Sequence, residues 1–181
     1  ITKSYGNLEV LKDINFTIIR GERIALIGLN GTGKSTFIKI LMNIVEPDSG
    51  EVIKDFKLSV GYYSQEFEVF DFTKSVIDTF CEQTNQDIDF ARAFLGRYLF
   101  SGQKVFQKVG SLSGGEKTRL AIAVLTGKDN NLLILDEPTT YLDTLSQRII
   151  LESLKEYKGT MIVVSHTLEF IKELVPHKAF L

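Results

Sequence analysis

Residues 28–35 read Gly28-Leu29-Asn30-Gly31-Thr32-Gly33-Lys34-Ser35 and fit the spacing G-x-x-x-x-G-K-[ST]. Glycines at those places let a backbone curl with its N–H groups turned inward, a geometry that wraps phosphate oxygens. A helix opening at Lys34 adds its positive N-terminal end. Lys34 would reach the outer phosphates of a nucleotide, and the Ser35 hydroxyl would take a place on Mg²⁺. Asp136 ends an apolar run, where a carboxylate is costly unless it faces a cation. In a pleated strand neighbouring side chains point in opposite directions. Asp136 is therefore expected to face the metal, and Glu137 a different part of the site, where it polarises or deprotonates an attacking water. His166 closes another apolar run, within reach of the outermost phosphate.

The elements that must position these groups follow from periodicity. Ile24-Ala25-Leu26-Ile27, Leu132-Leu133-Ile134-Leu135 and Met161-Ile162-Val163-Val164 are short apolar runs, as expected for strands buried on both faces. Lys34 to Ile44 reads as a helix with Phe37, Ile38, Leu41 and Ile44 inward. Ile14, Phe16 and Ile18 alternate with Asn15, Thr17 and Ile19 in a half-buried strand pattern. Pro47-Asp48-Ser49-Gly50 is a turn, with short strands expected at Val52-Ile53 and Leu58-Ser59-Val60. Residues 73–109 have helical character, with Val76, Ile77 and Phe80 in one apolar group and Ala91, Phe94, Leu95 and Tyr98 in another. Ser113 to Leu125 and Ser146 to Tyr157 read as further helices, and Ala179-Phe180 as the start of a strand. Strands followed by helices, with polar residues at the strands' C-terminal ends, predict an α/β fold with a parallel sheet and a site at those ends.

Bulk properties narrow the class. The 181 residues are 44% hydrophobic and 24% charged, ordinary for a globular domain. The net charge of −2 carries no global basic surplus of the kind that advertises nucleic-acid binding. Cys81 is the single cysteine, so no intrachain disulfide forms, consistent with a reducing compartment. No apolar stretch approaches the roughly 20 residues of a membrane span, and no signal peptide opens the chain.

Together with Leu112-Ser113-Gly114-Gly115-Glu116, these residues resemble the nucleotide-binding domain of ATP-binding cassette (ABC) proteins over nearly the whole chain. The resemblance implies one domain over residues 1–181 with a P-loop NTPase-type parallel sheet core. A small antiparallel β subdomain and an inserted helical subdomain at about residues 66–112 accompany it, the signature helix following. It implies ATPase activity with ATP and Mg²⁺. ATP binding falls to Tyr5, stacked on adenine, and to Gly28, Leu29, Asn30, Gly31, Thr32, Gly33, Lys34, Ser35 and Thr36. Mg²⁺ falls to Ser35, Gln65 and Asp136, and catalysis to Glu137, His166 and Gln65. Ser113, Gly114, Gly115 and Glu116 would face the γ-phosphate held by a second cassette, on the same chain or in a dimer. Asp143 resembles the D-loop residue that crosses that interface.

The signature reads Leu-Ser-Gly-Gly-Glu-Lys-Thr-Arg rather than ending in glutamine. Phe94-Leu95-Gly96 precedes it, and only about 47 residues separate Gln65 from Ser113. These features resemble the ABC-F group, and the phenylalanine-leucine-glycine segment its second cassette. That implies a cytoplasmic two-cassette protein with no direct membrane insertion, acting on the ribosome in translation or antibiotic protection. Thr140-Tyr141 departs from the Asn-His common in that group. The competing reading is the motor subunit of a membrane transporter, docked on its membrane partner through a groove near Gln65. A DNA-repair ATPase split by a coiled coil is disfavoured, because no sustained heptads separate the motifs.

Overall fold

The three apolar runs become the centre of a parallel sheet. The computed structural model describes residues 1–29, 31–64, 70–140, 142–174 and 178–180. In chain order the strands are β1 (Lys3–Tyr5), β2 (Leu8–Leu11), β3 (Arg23–Leu26), β4 (Val60–Tyr63), β5 (Leu132–Asp136), β6 (Thr160–Val164) and β7 (Lys178–Phe180). The helices are α1 (Lys34–Leu41), α2 (Val76–Thr84), α3 (Ile88–Gly96), α4 (Gly114–Gly127), α5 (Thr144–Glu156) and α6 (Leu168–Leu174). Five strands form one sheet in the order β4-β5-β6-β3-β7, every neighbour parallel, while β1 and β2 pair antiparallel by themselves.

The period of two along each strand sorts side chains into two layers. Leu133, Leu135, Met161, Val163, Ala25 and Tyr63 face one core with the buried faces of α2 to α6. Leu132, Ile134, Ile162, Val164, Ile24 and Leu26 face the other, with Phe37, Ile38 and Ile40 of α1 and Leu11 of β2. Burial on both faces explains why these strands read as unbroken apolar runs. Truncating Leu133 or Ile134 to alanine should cost about 2–5 kcal/mol.

Helix ends are set by local chemistry. Ser75 caps α2 by accepting from the Asp78 N–H at 3.1 Å, and Asp87 caps α3 through the Phe90 N–H at 2.8 Å. Asn85, at φ 62°, ends α2 in the left-handed conformation that asparagine tolerates.

Four expectations need correction. Helix α1 stops at Leu41 rather than Ile44: Asn43 turns left-handed at φ 57°, and the Ile44 N–H returns to the Lys39 carbonyl at 2.8 Å. Ile44 therefore lies outside the helix and is exposed. Residues 14–18 keep their alternation, with Ile14, Phe16 and Ile18 half-buried against the α1 layer, but they form no strand. Phe16 packs on Phe37 with ring centroids 5.3 Å apart. Val52-Ile53 is not a strand, and Ile53 is exposed; the strand placed at 58–60 begins at Val60 and runs to Tyr63.

Candidate functional site

Strand β3 ends at Leu26 and α1 begins at Lys34, so a short loop joins them at the C-terminal end of β3. Gly31 and Gly33 take φ values of 86° and 90°, which residues with a side chain rarely adopt. Gly33 is constrained twice, because a Cβ there would lie 2.8 Å from the Val10 carbonyl oxygen and 2.8 Å from a Leu11 methyl. Lys34 folds back over the loop, its Nζ donating to the carbonyls of Gly28 and Leu29 at 2.8 Å each. The Thr32 hydroxyl donates to the Leu29 carbonyl at 2.9 Å. The Leu29 side chain is exposed.

The loop forms one wall of a cleft of about 330 Å³. Tyr5, Gly31, Gly33, Lys34, Ser35 and Thr36 line it from the β1 and α1 side, and Asp136, Glu137 and His166 from the ends of β5 and β6. The sheet itself brings the last three together. β5 and β6 are neighbours in register, Asp136 opposite Val164, so the residues that follow emerge side by side. Burial pushes the Asp136 carboxyl above its usual range, opposed by the charges of Lys34 and His166. Burial also raises Glu137, opposed first by the His166 backbone N–H.

Glu137 differs from the strand expectation. Its φ is 53°, so it has left the pleat, and strict alternation no longer applies. It lines the same cleft as Asp136. Two backbone bonds hold the turn: the Glu137 N–H to the Val164 carbonyl at 2.9 Å, and the Thr140 N–H to the Glu137 carbonyl at 3.2 Å. Glu137 Oε1 lies 3.2 Å from His166 Nε2, yet that approach is not aligned for a hydrogen bond and the buried oxygen makes none.

The Ser113 and Asp143 groups lie apart from this cleft, at the starts of α4 and α5. Ser113 and Glu116 form a reciprocal capping box: the Ser113 N–H donates to Glu116 Oε2 at 2.9 Å, and the Glu116 N–H to Ser113 Oγ at 3.3 Å. The bond from the Ser113 N–H holds the Glu116 carboxyl below its ordinary range. Asp143 caps α5 by accepting from the Ser146 N–H at 2.7 Å, which lowers its pKa in the same way. Gln65 and Asn30 lie outside the described residues.

The sequence reading did not single out Val10 and Val164, which complete the cleft, nor Arg119 and Ser146. The capping signal was present as S-x-x-E. Arg119 stands as a lone cation beside the apolar run Leu120-Ala121-Ile122, and such a cation is buried only with partners.

A family model described as ABC transporter matches residues 11–140. The chain belongs to the family of ABC ATP-binding cassettes. The cassette is 42% identical to the ATP-binding protein YdiF of Bacillus subtilis, over 96% of its own length and 27% of that protein. It is 42% identical to the ATP-binding protein Uup of Haemophilus influenzae (90% and 26%), and 42% identical to ABC transporter F family member 5 of Arabidopsis thaliana (92% and 24%). It thus spans about a quarter of the length of these curated relatives, which are ABC-F proteins. Among solved structures, the fold matches the ATP-binding cassette MJ0796, a dimer in a post-hydrolysis state bound to ADP and Pi. That match has a TM-score of 0.75 and 22% identity, covering 95% of this chain and 87% of that one. Among the described residues no helix is long and apolar enough to cross a membrane.

Proposed function

We propose that this cassette binds and hydrolyses ATP as one half of a two-cassette ABC-F protein, the second cassette of its chain, and that the whole protein acts in the cytoplasm on the ribosome, in translation or antibiotic protection. The observation that carries the reading is the convergence of Lys34, Ser35, Asp136, Glu137 and His166 on one cleft at the C-terminal edge of a parallel sheet. The two-cassette part is supported by relatives about four times longer than the chain. Residues 1–181 act as one ATP-binding domain in this reading, with residues 66–112 as its helical subdomain.

Each role follows from chemistry. A lysine ammonium carries three donors; loop carbonyls take two from Lys34, and the third is directed to a β- or γ-phosphate oxygen. The N–H groups of residues 28–36 cradle the phosphates, and Tyr5 stacks on adenine. Ser35 and Asp136 fit Mg²⁺. Both line the cleft, and the desolvated Asp136 carboxylate lacks a full counter-charge. Among the described residues no cluster of three acidic, histidine or cysteine groups could hold a metal alone. That suits an ion that keeps water and phosphate oxygens as its other ligands. Mg²⁺ there would neutralise charge developing on the phosphates, with Gln65 assigned to the same ion.

Glu137 is the base for the attacking water. A carboxylate whose pKa is raised binds a proton more readily, and Oε1 has no aligned donor competing for it. His166 orients the γ-phosphate beside it. Ser113 Oγ accepts from the Glu116 N–H, which leaves its own O–H to donate to a γ-phosphate held by the second cassette. Gly114, Gly115 and Glu116 flank that contact, and Asp143 lies along the same interface.

One feature favours the transporter reading: a separate cleft of about 230 Å³ between β4, α2 and α4, lined by Gln83 of α2 and by Ser64 and Phe70, the residues that flank 65–69 in the chain. The test is sedimentation of the full-length Glu137→Gln protein with purified ribosomes, with and without ATP. ATP-dependent co-sedimentation is expected. Intact ATP binding with no ribosome association would overturn the translation reading and turn the search to a membrane partner.

A further inference from the structure

Arg119 lies five residues inside α4 and is only 6% exposed. Its guanidinium reaches in three directions. Nε donates to the Tyr98 carbonyl at 3.1 Å, in the segment after α3. One terminal nitrogen donates to the Ser146 hydroxyl in the first turn of α5. The other stands 3.9 Å from Glu116 Oε1. Ser146 is fully buried and passes the connection on, its hydroxyl donating to Asp143 Oδ2 at 3.1 Å. The ring of Phe100 covers the guanidinium at 5.7 Å.

One buried cation therefore ties two separate groups. The first is the Ser113–Glu116 capping box; the second is the Asp143 cap of α5. In the proposed function both meet the second cassette, on which this inference rests. A guanidinium presents its donors in a fixed planar fork, whereas an ammonium is a compact charge that cannot reach three separated acceptors. A cation buried merely for stability needs compensation, but not from two groups bound for one interface.

We infer that Arg119 is a positioning residue for the opposite cassette's ATP site: it sets the spacing between the Ser113 helix end and Asp143 and delivers them as one unit. It touches no nucleotide. Its loss should leave ATP capture at this cassette's own phosphate loop unchanged and slow the turnover that needs both cassettes. Ser146 carries the same link, so removing its hydroxyl should act through the same path.

The test uses the full-length protein with Arg119→Lys, Ser146→Ala and the double variant. For each, ATP affinity, steady-state kcat and nucleotide-free melting temperature are measured, with Glu137→Gln as the reference for lost catalysis. The lysine keeps charge and most of the volume, and Ser146→Ala leaves the Asp143 cap on the Ser146 N–H in place. Either single change should lower kcat about tenfold with ATP affinity within twofold. The double variant should be no slower than the worse single one, because both break one link. Unchanged kcat in Arg119→Lys, additive losses, or a kcat loss matched by an equal loss of ATP affinity would overturn the inference. Wild-type protein that does not turn over ATP would remove the proposed function and this inference together. Active wild type, an inactive Glu137→Gln protein and unaffected Arg119 variants would remove the inference alone.

Discussion

The phosphate-loop cleft and the starts of α4 and α5 treat their polar groups in opposite ways. In the cleft, Glu137 sits at φ 53° with a buried oxygen lacking an aligned donor, and burial pushes two adjacent carboxyls up. Around Arg119 the carboxylates are satisfied: Glu116 and Asp143 accept helix-cap bonds that pull their pKa values down. A region whose polar groups are held short of partners is built to receive a ligand. A region whose groups are saturated from within is built to keep its shape while something meets it. In the proposed function the first is a receiving side and the second a presenting side, separable by which property a mutation damages.

The largest effect should fall on the receiving side. Glu137→Gln should lower turnover by about 10²–10⁴-fold, the usual contribution of a positioned base, while leaving ATP affinity intact; rapid-quench hydrolysis and equilibrium binding separate the two. Next, Lys34→Ala should weaken ATP binding by about 100-fold, the scale of lost charge-assisted hydrogen bonds, with little change in melting temperature. Gly33→Ala sharpens the comparison from the other direction. Its Cβ meets the Val10 carbonyl and φ stays at 90°, so it should cost about 1–3 kcal/mol of stability as well as nucleotide binding. On the presenting side, Ser113→Ala should cost about 1 kcal/mol through the lost cap, visible in thermal melting without nucleotide, and leave ATP affinity at the phosphate loop unchanged.

The smallest effect tests the comparison most directly. Because burial raises the Asp136 carboxyl above 3.8 in the folded protein, the unfolded chain gives up this proton first. Stability then declines as pH rises from 3.8 through the folded value, and the deficit persists at neutral pH. Asp136→Asn should therefore raise the nucleotide-free melting temperature at pH 7. The gain should fade below pH 3.8. A lower melting temperature in Asp136→Asn at pH 7 would break the division between the two sides.

Short-range pattern carried most of this into the sequence. The glycine loop followed by a helix, and the apolar runs ending in Asp136 and at His166, depend on neighbours within a few residues and came through. The alternation at Ile14, Phe16 and Ile18 reports which face packs, not whether a partner strand exists, so it yielded half-burial without a strand. The end of α1 turned on one left-handed asparagine, a backbone event that apolar periodicity at Ile44 does not register. Glu137 escaped the strand rule because the chain leaves the pleat one residue earlier than the charge pattern suggests. The Arg119 network joins residues far apart in the chain: the apolar run after Arg119 hints at its burial, but nothing local names Tyr98 or Ser146 as its partners.

The hold of Lys34 on the Gly28 and Leu29 carbonyls has a kinetic consequence. An internal ammonium pins that bend of the chain before any phosphate arrives, so little ordering entropy is left to lose on capture. Nucleotides differing only in their terminal phosphate should then associate at similar rates. The preference between them should show in how long each stays.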